Sequence, residues 1–327
     1  MKKYIYLTCA VFFALVTFSC KKSDNSTSSN WTPSVVNVPV FTVAFDAQGN
    51  RWAGWNYGAF ENEDTILFVK DTVVNSIVAD AKGVLWFGTN AGVFKDTAGT
   101  FTPYNTSNSS LAGTVVNTVA VDANNNKWFG TNNGVSELSG STWTTYNTSS
   151  GLANNTVKAI AFDSKGNTWF GTTNGVSMLN GTTWTTYSDT TKVRTITAKD
   201  TIITPTLISD TINAIAADAS GNIWFGTNRG LSKFDGTSWT TYLPGNSGLP
   251  NVDVTSIAID SQKNFWFGTW GGGVAKFNGT TWTTYTIDQA AWSGGQGILY
   301  NFIYSVTLDS QGNVWVGTGQ GAFELKN

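Results

Sequence analysis

Asp218-Ala-Ser-Gly-Asn-Ile-Trp224-Phe-Gly226-Thr-Asn-Arg-Gly230 is the clearest copy of a unit this chain writes seven times. An Asp stands six residues before a Trp, with a Gly two residues after the Trp. The Trp positions are 52, 86, 128, 169, 224, 266 and 315, and Asp46, Asp80, Asp122, Asp163, Asp218, Asp260 and Asp309 precede them. Upstream, Thr211-Ile-Asn-Ala-Ile-Ala-Ala reads as a buried strand. Asp218 to Asn222 is turn chemistry, since Asp and Asn bond their own backbone and Gly supplies positive φ. Ile223–Thr227 returns as a second strand, Leu231–Phe234 as a third and Ser238–Tyr242 as a fourth. A four-stranded antiparallel sheet cannot bury both faces alone, so such units stack. The Trp is the wedge between neighbouring sheets, and the Gly two residues on lets backbones approach.

Radial stacking of seven such sheets is an all-β, seven-bladed propeller of four-stranded antiparallel blades. The uninterrupted copies repeat at ~42 residues. The seventh copy ends at Phe323-Glu-Leu-Lys-Asn327 without its fourth strand, and Trp31-Thr32-Pro33-Ser34 resembles that strand (compare Trp143–Tyr146). The N-terminal strand is therefore expected to complete the last blade and remove an open sheet edge. Blade one, roughly residues 38–69, diverges most, with Ala53-Gly54-Trp55-Asn56-Tyr57-Gly58 and an outer strand expected at Thr65–Val69. Between blades four and five, residues 192–207 read as an extra hairpin turning at Ala198–Asp200. A second insertion, Asp288–Tyr300, joins blades six and seven.

Residues 1–19 lie outside this pattern. Lys2-Lys3 precedes an apolar stretch, Tyr4–Phe18, which is short for a membrane span. Ser19-Cys20 and a Ser/Thr/Asn-rich tether to Asn30 follow. The segment resembles a bacterial lipoprotein signal, although Thr17 stands where Leu is commoner. That resemblance implies cleavage before Cys20, lipid on its thiol, and a propeller over 31–327 anchored to the cell envelope, with the outer membrane favoured by Lys21. Cys9 leaves with the leader, so the folded part has no disulfide. The formal net charge is −2, and only 12% of residues are charged against the usual ~25%. No basic run exists, so nucleic acid is not an expected partner.

The repeat Asn-x-Val/Ile-x-x-Ile-Ala-x-Asp-x-x-Gly-Asn-x-Trp-Phe-Gly-Thr-x-x-Gly-Val resembles the two-component regulator propeller repeat over residues 36–327. The resemblance implies a periplasmic or surface propeller that binds a ligand or partner. It does not carry over a kinase, for which there is no sequence here. The chain is also similar to streptogramin lyases in its short repeats, but that family's active site uses His and this chain has none. The lack of His also removes Ser-His-Asp triads and the commonest zinc ligand. The seven Asp residues recur at every turn and are read as turn residues, with no calcium-loop motif among them. No cofactor, metal or catalytic residue is expected.

A residue that breaks the repeat is free of the duty the repeat imposes. The loops between strands two and three share one face with the inter-blade connections. That face collects Trp55, Asn56, Tyr57, Arg229, Trp270 and Gln320, and the second insertion adds Trp292 and Tyr300. Aromatic rings beside Asn, Gln and Arg suit a glycan or a peptide. The expectation is a monomeric, non-catalytic module binding a glycan or peptide there; the alternatives are a scaffold docking to another envelope protein and, disfavoured, a lyase. Asp-Thr followed by a small or branched residue resembles a bacterial O-glycosylation motif, with Thr65, Thr72, Thr97, Thr190, Thr201 and Thr211 as acceptors.

Overall fold

The computed structural model describes residues 31–62, 64–66, 72–189, 194–196, 201–203, 207–286 and 301–326. These form seven four-stranded antiparallel sheets and one two-stranded sheet, without helices. Blade five runs outward from the ring centre as Ile212–Ala217, Ile223–Thr227, Gly230–Phe234 and Trp239–Tyr242. Each innermost strand packs against the innermost strands of both neighbours, and Ile303–Leu308 meets Thr42–Phe45 to close the circle. The last blade takes its outer strand from the N-terminus: Trp31–Val36 pairs with Gly321–Leu325, Trp31 facing Leu325 and Val36 facing Gly321. The N–H of Val40 then donates to the Thr318 carbonyl at 2.8 Å and leads the chain into blade one.

Every blade is built around one carboxylate. Oδ1 of Asp218 accepts from the backbone N–H groups of Ser220 and Asn222, each at 2.9 Å, and shapes the turn. Its Oδ2 accepts from the Asn222 amide at 2.8 Å and the Trp224 indole N–H at 3.0 Å. The indole bond recurs in all seven copies, between 2.9 Å at Trp169 and 3.3 Å at Trp52. A Trp buried between sheets needs a partner for its N–H. The Asp six residues earlier supplies it across the hairpin. In blade two Val84 replaces the Asn, and Lys127 of blade three takes the vacant place with a 3.0 Å ion pair to Asp80.

Each ring is handed to the next blade. Trp52 packs on Phe87, Trp86 on Phe129, Trp128 on Phe170, Trp169 on Phe225 and Trp224 on Phe267, at centroid separations of 5.4 to 6.0 Å. Trp266 lies with Val316, and Trp315 with Ala53. Aromatic pairs of this kind add about 0.5–1.5 kcal/mol each beyond burial. The Gly two residues past each Trp makes the approach possible: a Cβ on Gly226 would lie 2.8 Å from a methyl of Val254, and one on Gly171 2.5 Å from Ile212. In the Asp turns of blades three and six, Asn125 and Lys263 stand where other blades have Gly and adopt φ of 62° and 66°.

The outer strand of blade one is Asp64–Ile66, one residue earlier than its expected start. Residues 67–69 of that expectation lie outside the described residues. The first insertion pairs Arg194–Ile196 with Thr201–Ile203 in a small sheet of its own, as the alternation predicts; its turn lies outside the described residues.

Two outcomes follow. Deleting residues 31–36 leaves the Gly321–Leu325 edge unpaired, so the melting midpoint should fall by roughly 5 °C or more with new oligomers on size exclusion; an unchanged monomer with an unchanged midpoint contradicts closure by this strand. The second concerns acid. Burial opposes ionisation of Asp163, Asp218, Asp260 and Asp309, but the indole, amide and backbone donors outweigh it and hold these carboxyls below the usual range. A depressed folded value stabilises above the unfolded pKa and is lost as pH falls through the folded one. The midpoint should therefore drop steeply below about pH 4, and Asp260→Asn should be less stable at pH 7 with a shallower acid loss. An acid-independent midpoint contradicts the assignment.

Candidate functional site

The ring of innermost strands carries a second repeated feature. In six blades the pairing of the first strand to the second slips at its second residue, as between Val157 and Ala159 or between Ile303 and Ser305. Such a bulge bends the strand and re-aims a side chain. The residues in the slip are Asn75, Asn117, Lys158, Asn213, Thr255 and Tyr304; Phe41 stands at the same place in blade one. They lie where the chain enters each inner strand from the inter-blade connection. They therefore ring the mouth of the central channel on the face of the strand-two-to-three turns.

Four of the seven stitch the ring. Asn75 donates to the Val116 carbonyl at 2.9 Å, Asn117 to Val157 at 2.9 Å, Asn213 to Val254 at 3.1 Å and Thr255 to Ile303 at 2.6 Å. Each partner opens the inner strand of the next blade. Lys158, Tyr304 and Phe41 take the same place with three different chemistries, an ammonium, a phenol and an apolar ring.

Beside this layer sits Trp270. Its backbone N–H donates to the Asp253 carbonyl at 2.9 Å, the slot that Asn90, Asn132 and Thr173 fill in other blades. The turn of blade six is one residue longer: the Thr269 hydroxyl reaches Gly273, four residues on, where the span is three elsewhere. The Trp270 ring rests on Phe302 at 4.8 Å and Tyr304 at 5.2 Å, and Tyr304 meets Phe41 at 5.1 Å. Blades six, seven and one thus share one aromatic run. Trp270 remains 40% exposed. It overlooks a cavity of about 370 Å³ lined by Lys158, Asn213, Asp253 and Thr255. Asn213 donates to Asp253 Oδ1 at 2.9 Å. Burial pushes the Asp253 carboxyl up, and the Asn213 bond opposes it.

The described residues contain three exposed large hydrophobic side chains, Tyr57 at 50%, Val252 at 43% and Trp270 at 40%. All three lie in turns or connections of this same face. A larger cavity of about 520 Å³ lies at the opposite face between blades one and two, lined in part by Asp46, Glu61, Lys82, Asp96 and Phe101. Its Asp46 and Asp96 accept hydrogen bonds from their own turns and belong to the frame. Among the described residues no group of three His, Cys, Asp or Glu could hold a metal ion.

The sequence-predicted residues divide. Trp270 stands at the mouth. Trp55 is half-buried and packs its ring on Tyr57 and Phe60 of its own blade, both at 5.1 Å. It replaces the Thr whose hydroxyl closes this turn in the other six blades. Asn56 is half-buried, and Arg229 is exposed in the blade-five turn. Gln320 is half-buried, and its carbonyl accepts from Asn37 at 2.8 Å. Trp292, Tyr300 and Cys20 lie outside the described residues. Of the Asp-Thr acceptors, Thr72 is buried, Thr97 exposed and Thr211 half-buried; nothing is described of the side chains of Thr65, Thr190 and Thr201. Sequence reasoning missed Lys158, Asp253, Tyr304 and Phe41. The signal was present: departures from the repeat in the inner strand carry the same information as departures in the turns.

Five stretches match the two component regulator propeller model, residues 69–91, 151–174, 206–229, 248–271 and 297–320. Each match ends in the turn after the repeat Trp. No curated protein matches the sequence. Among solved structures, the chain is similar to one named as the extracellular domain of a hybrid two component system of B. thetaiotaomicron (TM-score 0.73, 24% identity, 91% of this chain and 41% of that one). It is also similar to a catalytically inactive virginiamycin B lyase from Staphylococcus aureus with quinupristin (TM-score 0.64, 15% identity, 90% and 100%). A third likeness is to YCF48 bound to D1 peptide (TM-score 0.63, 13% identity, 93% and 97%). At these identities the likeness shows the fold alone. The chain spans about two fifths of the length of the two component system structure.

Proposed function

We propose that this chain, a propeller built of two component regulator repeats, is a non-catalytic binding module of the cell envelope that takes an extracytoplasmic glycan or peptide at the channel mouth of blades five to seven and one. The observation that carries this reading is Trp270. An exposed indole stands in a slot held by Asn or Thr in three other blades, against an aromatic run, over a polar-walled cavity. Small-ligand sites combine an apolar contact surface with a few placed polar groups in this way. The repeats themselves hold the blades, so the site falls to the residues that depart from them. Catalysis has few means here: the chain has no His, and Asp253 is the one carboxylate among the residues lining the cavity beside Trp270. The envelope location rests on the leader and Cys20 together with the extracellular neighbours, with lipid on Cys20 as the anchor and the outer membrane as its place.

A second reading has its own support. Tyr57, Val252 and Trp270 are spread across one face and suit docking to another envelope protein, which uses roughly 800 Å² per partner.

Titration of the purified protein with polysaccharides and peptides, followed by Trp fluorescence, separates the two. A saturable response is expected, weakened up to about tenfold in Trp270→Ala, the cost of losing one stacked ring, with the melting midpoint lowered by no more than about 5 °C, since the ring gives up its contacts with Phe302 and Tyr304 but is not a wedge between blades. Binding that survives the substitution removes the mouth as the site. No response across the panel, with crosslinking to one stoichiometric envelope protein, supports docking instead.

A further inference from the structure

Lys158 is the one cation in the bulge layer; Phe41, Asn75, Asn117, Asn213, Thr255 and Tyr304 are neutral. It is exposed in an otherwise buried stretch of inner strand, between Val157 and Ala159. Neither the Lys127–Asp80 nor the Lys326–Glu324 ion pair involves it. Lys158 lines the mouth cavity together with Asp253, and the two side chains do not pair within 4.0 Å.

The donors and acceptors of the cavity are unevenly placed. Lys158 offers three N–H donors and a full charge. The hydroxyl hydrogen of Thr255 is spent on Ile303, so its oxygen is left to accept. Asp253 commits Oδ1 to Asn213 and keeps Oδ2. One part of the wall therefore calls for an anion and another for hydroxyl donors, beside the exposed face of Trp270. The whole chain is net negative, so its general field repels anions and selection must come from this local cation.

Resting on the mouth as the binding site, we propose that its ligand is an acidic saccharide: a uronic acid residue whose carboxylate pairs with Lys158, whose hydroxyls donate to Asp253 and Thr255, and whose ring face lies on Trp270. The cavity volume, about 370 Å³, is at the small end of the ~300–1,000 Å³ range of ligand pockets and has room for a short saccharide. A peptide anchor would call for an apolar pocket, and four of these five lining side chains are polar.

The test is calorimetric titration of the purified full mature protein with trigalacturonate, its methyl ester and neutral galactotriose. The acid is expected to bind about tenfold tighter than the ester or the neutral sugar, the value of one charge-assisted hydrogen bond. Lys158→Met should lower affinity for the acid to that of the ester and leave the ester unchanged, while Lys158→Arg should retain most of it. Salt should weaken the acid complex of the wild type and not of Lys158→Met. Equal binding of acid and ester, no effect of Lys158→Met, or no binding of the acid at all overturns the inference. Trp270→Ala then locates the fault: if it still weakens saccharide or peptide binding, the mouth stands and only the anion preference is wrong. If it changes nothing, the mouth falls as well.

Discussion

One carboxylate with two oxygens carries this architecture. Oδ1 of each repeat Asp gathers backbone N–H groups and sets the turn; Oδ2 holds the indole N–H of the Trp six residues on. Burying an indole between sheets without a partner leaves an unsatisfied donor, at a cost of about 1–3 kcal/mol. The Asp removes that penalty and fixes the ring's orientation together. The ring then meets the next blade, and the Gly two residues later admits the Val or Ile that opens that blade's inner strand. Turn, wedge and spacing are thus one device, repeated until the N-terminal strand closes the circle.

Because the frame is repetition, individuality lies where a repeated duty is relinquished. Trp55 replaces a Thr that closes a turn, Trp270 fills a backbone slot held by Asn or Thr in three other blades, and Lys158 replaces an amide that stitches inner strands. These positions are turns and bulges at the rim of the ring, away from the buried Trp wedges. A change there leaves the Asp–Trp device intact. Blades six, seven and one gather the aromatic departures, and blade four contributes the charge.

Much of the fold was legible because its signals are local. Asp-x-x-Gly-Asn fixes the turn, the Asp-to-Trp spacing of six fixes the register of the first hairpin, and the truncated seventh copy points to Trp31–Ser34, within the observed strand Trp31–Val36. The Oδ2–indole bond was not legible, since spacing reveals a turn residue but not what its second oxygen touches. The bulge hid Lys158 and Tyr304. Simple alternation treats the second residue of a strand as one face of a pleat, whereas the slip turns it into the channel mouth. Reading only the turns therefore found Trp270 and missed the layer beneath it. Tyr304 and Phe41 meet across a closure between blades seven and one that no local pattern displays.

The most direct test of the account is a double-mutant cycle on blade five, comparing Asp218→Ala, Trp224→Phe and the double variant by denaturant unfolding. If the carboxylate and the indole act as one device, the two substitutions should couple by about 1–2 kcal/mol, Asp218→Ala costing less once the indole N–H is gone. Strict additivity would contradict the account, leaving the Asp as a turn residue and the Trp as a wedge that share a spacing and nothing more.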